Sequence, residues 1–357
     1  MTKEELFSLE KKNIDFEAQK KAKAHWDEIS KPLDGLGDFE KVVTRILSIL
    51  GEERISLKKA LVVMISDNGI VEENVSQCGQ ENTLKVAHLM GEKRSSACMM
   101  SEYLGVHCVP VDIGIASDEE IEGVLNKKVC FGTKNFLKEA AMSEDEVLSA
   151  IEVGIDMVRT LKDDGYNIIA TGEMGIGNTT TSTALLSALT STNPDEVTGR
   201  GAGLNDEGLK RKIQVINEGL KKHKLINMDI NKENAFNALR AVGGADIASM
   251  TGVFLGGAIY GVPIVIDGLI SAVSALLADI FLDGGRDYMI PSHSGREKGV
   301  ELILNRLSLK SFINGDMALG EGTGALMLLG ELDLIFHYFN NAVTFNSASI
   351  EKYERHE

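Results

Sequence analysis

The chain lacks the groups that build covalent or metal-held scaffolds. Its four cysteines, Cys78, Cys98, Cys108 and Cys130, are irregularly spaced and include no CxxC pair. That pattern argues against a disulfide framework or a zinc site and for reduced thiols. No His/Cys/Asp cluster has the spacing of metal ligands. The sequence contains no GxxxxGK[ST] phosphate loop, no complete GxGxxG fingerprint and no GxSxG elbow. A generic dinucleotide oxidoreductase and a serine hydrolase therefore lose their support. Gly (36) and Pro (5) are too few for a fibrous or disordered chain of 357 residues. Cations are outnumbered, with 37 Lys and Arg against 53 Asp and Glu, a formal net charge of −16. Such a surface repels nucleic acid and anionic membranes. Any phosphate site must then be local, built from backbone N–H groups and a few cations. The N-terminus is charged throughout and has no signal-peptide core, so a cytoplasmic location is expected.

What is present is ample core material, 43% hydrophobic residues. One stretch, Ile247–Ile266, has no charged residue and matches the length of a membrane span. Gly256, Gly257, Gly261 and Pro263 interrupt it and Asp267 follows, so a buried helix over Asp246–Tyr260 and a short strand over Val262–Asp267 are expected instead. The first sixty residues read as amphipathic helices broken by KPLDGLG. An apolar strand, a Gly-bearing loop and a helix then recur. Strands are expected in Ala60–Gly69, Val106–Ile115 and Asp287–Gly295, and strand–loop–helix units in Tyr166–Leu189 and Val262–Phe281. This alternation predicts an α/β fold with a Rossmann-like parallel sheet and helices on both faces. The terminal segments, 1–55 and 325–357, are expected to form a small helical domain beside an α/β domain spanning 56–324. Ligands of such sheets sit outside the carboxyl ends of the strands.

Those strand ends carry the unusual loops. In GEMGIGNTTTS, Gly172, Gly175 and Gly177 allow tight turns, and Asn178, Thr179, Thr180 and Thr181 open a helix whose free N–H groups suit an anion. A purely structural turn fits the pattern equally well. In GRGAGLNDEGLKRK, Gly199, Gly201 and Gly203 precede Lys210, Arg211 and Lys212. These cations form either a phosphate clamp or a solvated helix face. In LGEGTGALMLLG, Glu321 stands alone between two glycines in an apolar run. Such surroundings are expected to raise its pKa and suit a general base; capping of the next helix is the alternative. Asp67 and Asp267 each follow an apolar strand and are expected to organise loops. His293, at another strand end, is read as structural.

Taken together, these segments resemble the nicotinate-nucleotide–dimethylbenzimidazole phosphoribosyltransferase family over nearly the whole chain. KPLDGLGDFE is similar to its KPxGSLGxLE, and SDNGIVEENVSQCGQ to its DHGVxxxGVSxxPQ. GEMGIGNTTTS, GRGAGL, GGADIASMTG, VPIVIDGLIS, SHSGREKG and LGEGTGA also look like family segments. The resemblance implies transfer of the 5-phosphoribosyl group of nicotinate mononucleotide to a lower-ligand base, in cobamide (vitamin B12-type) biosynthesis. The base would be 5,6-dimethylbenzimidazole or a relative of it. The product is an α-ribotide plus nicotinate. No cofactor is implied, and no metal, because nicotinate leaves from a pyridinium. Glu321 matches the general base and Glu173 the glutamate beside ribose and nicotinate. Gly175, Gly177, Asn178, Thr179, Gly201, Gly203, Lys212 and Ser292 would bind ribose, phosphate and nicotinate. Ser76, Gln80, Met317 and Leu319 would form the acceptor pocket. A homodimer is implied, with a heterodimer of paralogues as the alternative.

Several positions depart from the family pattern. Asn68 stands for His, Asn74 and Gly35 for Gly and Ser, and Gly79 for Pro. Gly295, Val300 and Ala318 stand for Ser, His and Arg. These departures predict an altered acceptor preference, with a phenol or purine as the alternative acceptor. A weakly active paralogue that partners an active subunit is a further reading.

Overall fold

A computed structural model describes residues 1–354. Among the described residues there are eight strands: β1 Lys59–Ser66, β2 His107–Gly114, β3 Leu125–Asn126, β4 Ile168–Met174, β5 Ile264–Ile266, β6 Met289–Pro291, β7 His293–Ser294 and β8 Ile313–Asn314. The helices before the sheet are α1 Lys3–Phe7, α2 Phe16–Glu28 and α3 Asp38–Leu50. Between strands lie α4 Glu81–Gly91, α5 Ser96–Leu104, α6 Glu144–Asp163, α7 Asn178–Thr190, α8 Pro194–Val197, α9 Asp206–Lys222, α10 Lys232–Val242, α11 Ala245–Tyr260, α12 Leu269–Phe281 and α13 Gly299–Arg306. The chain ends with α14 Thr323–Asn341 and α15 Phe345–Ala348.

Six strands form one parallel sheet in the order β3-β2-β1-β4-β5-β6. This is the doubly wound order, with the direction of winding reversing between β1 and β4. A crevice opens at that point because the loops leaving the two strands run to opposite sides. β1 is buried along its whole length, as a strand covered on both faces must be. Residues at 60, 62 and 64 face one core with α6, α11 and α12; residues at 61, 63 and 65 face another with α2, α3 and α14. The two-residue strands β3 and β8 and the small β7-β8 pair are too short to show a period in the sequence.

The uncharged run at 247–266 becomes α11 and β5, the helix being buried on all sides. No helix among the described residues is long and apolar enough to cross a membrane. The terminal segments do meet. Trp26 and His25 of α2 pack on Phe339 of α14, at ring separations of 4.7 and 4.6 Å, and Ile29 bridges Thr344. Residues 355–357 lie outside the described residues.

Candidate active site

A cavity of 620 Å³ occupies the crevice beyond β1, β4, β5 and β6. Its wall combines the ends of these strands with 199–203, 295–298 and 317–323.

The Gly172–Gly177 loop forms the floor. Gly177 takes φ 96° as the N-cap of α7, a conformation that disfavours any side chain. Asn178 then donates its Nδ2 hydrogen to Oε2 of Glu173. Glu173 lines the cavity and is otherwise enclosed by protein. Burial, and then the charge of Asp246, lift its carboxyl to about 8. Near neutral pH it is therefore protonated.

Beside the floor, Lys212 of α9 is fully buried, and its Nζ donates to Thr179 Oγ1 at 2.7 Å. Burial lowers its amine to about 8. A β-carbon on Gly201 would lie 2.8 Å from Thr179 Oγ1 and 3.2 Å from Lys212 Nζ, so only glycine lets the 199–203 loop approach this pair. Lys210 and Arg211 face solvent; of the three cations, the helical period turns Lys212 inward. Two bonds clasp the loop after β1 to this region. Gln77 donates to the carbonyl of Gly203, and Arg211 Nη1 donates to that of Asn74 at 3.3 Å. Asn74 itself is left-handed, φ 56°, which asparagine tolerates better than most residues.

Glu321 also lines the cavity. Gly320, Glu321 and Gly322 are left-handed in succession, at φ 91°, 58° and 84°. The turn presses on β4: a β-carbon on Gly172 would lie 2.6 Å from the Glu321 carbonyl. Gly322, not Glu321, is the N-cap of α14. The Glu321 carboxylate instead accepts from the backbone N–H of Ala97 at 3.1 Å, in the first turn of α5, where helix amides are free to bind an anion. Cys98 and Cys108 lie nearby with their Sγ atoms 3.7 Å apart.

At the end of β5, Asp267 accepts from the N–H of Ala325 at 2.9 Å and faces His293 Nδ1 at 4.0 Å. Burial raises its carboxyl, opposed by His293. A β-carbon on Gly324 would lie 2.1 Å from His293 Nδ1, so the ring is packed on the start of α14.

Of the residues singled out in the sequence, the cavity gathers Glu321, Glu173, Gly175, Gly177, Asn178, Thr179, Gly201, Gly203, Ser76, Met317 and Leu319. Lys212 stands behind Thr179. Gln80 is the N-cap of α4 and is not on the wall. Ser292 is buried, with Oγ 2.9 Å from His293 Nδ1. Asp67 organises its loop, accepting from Ala116 N at 2.9 Å. His293, Asp267, Arg200, Arg296 and Glu297 line the cavity too. For His293 and Asp267 the placement at strand ends was the available signal; Glu297 was marked only by the family likeness of SHSGREKG. Of the departures, Gly295, Val300 and Ala318 are on the wall, whereas Asn68 is fully buried beneath the floor. A serine does not fit this backbone at 295, where a β-carbon would meet the Met317 carbonyl at 2.6 Å.

A family described as Phosphoribosyltransferase matches residues 12–350. The chain is 42% identical over 342 residues to nicotinate-nucleotide–dimethylbenzimidazole phosphoribosyltransferase of Clostridium acetobutylicum, covering 96% of each. It is 39% identical over 347 residues to the protein of that name from Ruminiclostridium cellulolyticum, again covering 96% of each. Among solved structures, CobT from Thermus thermophilus superposes with a TM-score of 0.87 at 31% identity, covering 94% of this chain and 99% of that one.

Proposed function

The chain belongs to the nicotinate-nucleotide–dimethylbenzimidazole phosphoribosyltransferase family, and from that premise we propose that its cavity moves the 5-phosphoribosyl group of nicotinate mononucleotide to 5,6-dimethylbenzimidazole or a related base. The observation that carries the assignment is that one cavity is lined both by Thr179, on which the buried Lys212 rests, and by a carboxylate, Glu321.

In this reading the 5′-phosphate sits on the N-terminus of α7 and the 199–203 loop, with Gly175, Gly177, Thr179, Gly201 and Gly203 giving close approach and Lys212 giving charge. Glu173 and Asn178 meet the ribose and the nicotinate ring. Ser292 acts through His293. Ser76, Met317 and Leu319 flank the acceptor, and Gln80 supports their loop from the start of α4. A ring nitrogen of the acceptor attacks C1′ while the C1′–N bond to nicotinate breaks. The bonding pair stays on the pyridine nitrogen, which loses its positive charge. C1′ inverts from β to α. Glu321 takes the proton from the acceptor's other ring nitrogen, so charge is balanced with no acid needed for the leaving group. Holding two rings about one ribose contributes much of the remaining rate.

The same reading keeps the terminal segments, 1–55 and 325–357, as a small helical unit beside 56–324, supported by the contacts of α2 with α14. It also assigns a homodimer in the cytoplasm. Met99, Tyr103 and Leu334, exposed on α5 and α14 at 64, 90 and 68%, support a covered face there. Light scattering of the purified chain tests it, and a monomer would point to the paralogue alternative.

The deciding experiment incubates the purified chain with nicotinate mononucleotide and dimethylbenzimidazole, benzimidazole, adenine, phenol or p-cresol in turn. Mass spectrometry is expected to find nicotinate and an α-ribotide with at least one benzimidazole. Turnover with phenols or adenine alone would move the assignment to those acceptors, and no turnover would overturn it.

A further inference from the structure

Behind the floor of the cavity lies a second buried carboxyl that the reaction above does not use. Asp246 is the second residue of α11 and is fully buried. Its Oδ1 accepts from the N–H of Ile247 at 2.9 Å. Among the described residues, its Oδ2 makes no well-formed hydrogen bond, and neither does either polar atom of the Asn68 side chain. The two side chains lie together beneath the Gly-rich loop. A β-carbon on Gly175 would lie 3.0 Å from Asp246 Oδ2 and 3.2 Å from Asn68 Nδ2; one on Gly244 would lie 2.3 Å from Asp246 Oδ1 and 2.6 Å from Asn68 Oδ1. Asn178 completes the arrangement. Its amide bonds Glu173 in the cavity and faces Asp246 on the other side. One amide nitrogen carries two hydrogens, enough for one towards each carboxyl.

We propose that Asp246 is a positioning residue for donor binding: from outside the cavity it acts on Glu173 through the Asn178 amide that lies between them. The proposal rests on the functional reading above.

Two buried carboxyls flanking one amide do not ionise together easily. Burial raises both. Asp246 reaches only about 6, because the N–H of Ile247 and the amides of Asn178 and Asn68 favour its charge. Glu173 reaches about 8, with the charge of Asp246 adding to its burial. Between these values Asp246 is the anion and Glu173 the acid. The other titratable neighbours are Asp267 and Glu297, which raise Glu173 further, and Cys130, whose thiol is pushed to about 12 by burial first and by Glu146 and Asp246 after it. A protonated Glu173 offers an O–H to the oxygens of an anionic donor, where a carboxylate would repel them. Paired carboxyls pushed apart in this way divide roles between themselves.

The test reads Glu173 directly. Its ¹³C-carboxyl titration, assigned with Glu173→Gln, is followed in the wild type and in Asp246→Asn, alongside calorimetric binding of nicotinate mononucleotide from pH 6 to 9. In Asp246→Asn the Glu173 midpoint is expected to fall by about one pH unit, the scale of a nearby buried charge. The pH at which donor affinity is lost should fall with it. Asn68→Ala, which removes a group favouring charge on Asp246 and leaves both carboxyls in place, should move both in the same direction by less. It also serves if Asp246→Asn does not fold. An unmoved Glu173 midpoint in a folded variant overturns the proposal. The NMR readout needs no substrate, so a chain that shows the shift but never transfers ribose phosphate supports the carboxyl coupling and fails only the functional reading.

Discussion

Glu321 is held from two directions that the local sequence does not reveal together. Its flanking glycines, read in the sequence, permit the run of left-handed residues. Its partner, the N–H of Ala97, lies 224 residues away, and no spacing could have announced it. The sequence left helix capping open as an alternative, and the geometry removes that alternative because Gly322 caps α14 and the carboxylate turns to α5. With Glu321 as the base, Glu321→Gln should lower kcat by about 10²–10⁴-fold, the usual weight of general-base catalysis. Affinity for nicotinate mononucleotide, measured by calorimetry, should stay within about twofold, since an uncharged isostere fills the same space. Loss of donor binding instead would give Glu321 a different role. Asp246 illustrates what a sequence hides: it reads as one polar residue opening a buried helix, and its weight comes from Asn68 and Asn178, brought to it by β1 and α7.

Helix α9 shows how an element sorts residues of equal promise. The sequence offered Lys210, Arg211 and Lys212 together, as a phosphate clamp or as a solvated helix face. The helical turn of about 100° per residue cannot aim three successive side chains at one point. Lys212 takes the buried position and the other two remain in solvent. Lys212→Ala should therefore weaken donor binding by about 10–100-fold, the size of a charge-assisted hydrogen bond. Lys210→Ala should change it by less than about twofold. A comparable loss in both would restore the clamp. Because burial lowers the Lys212 amine to about 8, its contribution should fade as pH rises through that value. The major strands and the paired helices α7 and α12 were legible because an apolar run followed by a Gly-bearing loop is a local signal. The strands β3 and β8, two residues each, depend on long-range pairing and were not.

Over the whole molecule, buried acids set the response to pH. Glu173 at about 8 and Asp246 at about 6 are joined by Asp67, Asp267 and Glu297, all raised chiefly by burial. Between about pH 4 and 8 the unfolded chain releases protons that the folded chain keeps, so stability falls as pH rises. The net charge of −16 adds repulsion in the same direction. At the acid end, Asp38 is lowered to about 2 by Lys41 and Lys310, and Glu72 and Asp206 are lowered by Lys138 and Arg200. Those exposed groups lose their contribution as pH falls below about 4. The ligand-free protein should accordingly unfold at a higher urea concentration at pH 5 than at pH 8. A midpoint that rises with pH would contradict the burial of these carboxyls.

The clasp beside the cavity, Gln77 to Gly203 and Arg211 to Asn74, bears on the order of events. In the proposed site, a phosphate seated on Thr179 and Lys212 would bear on Gly201–Gly203 and, through Gly203, would steady the loop assigned to the acceptor through Ser76. The proposed site therefore predicts that the nucleotide reinforces the acceptor wall, which in kinetic language is an ordered sequence: nucleotide on first, base second. A dead-end analogue of the base should then inhibit competitively against the base and uncompetitively against nicotinate mononucleotide. In Gln77→Ala, with the clasp opened, the second pattern should turn noncompetitive.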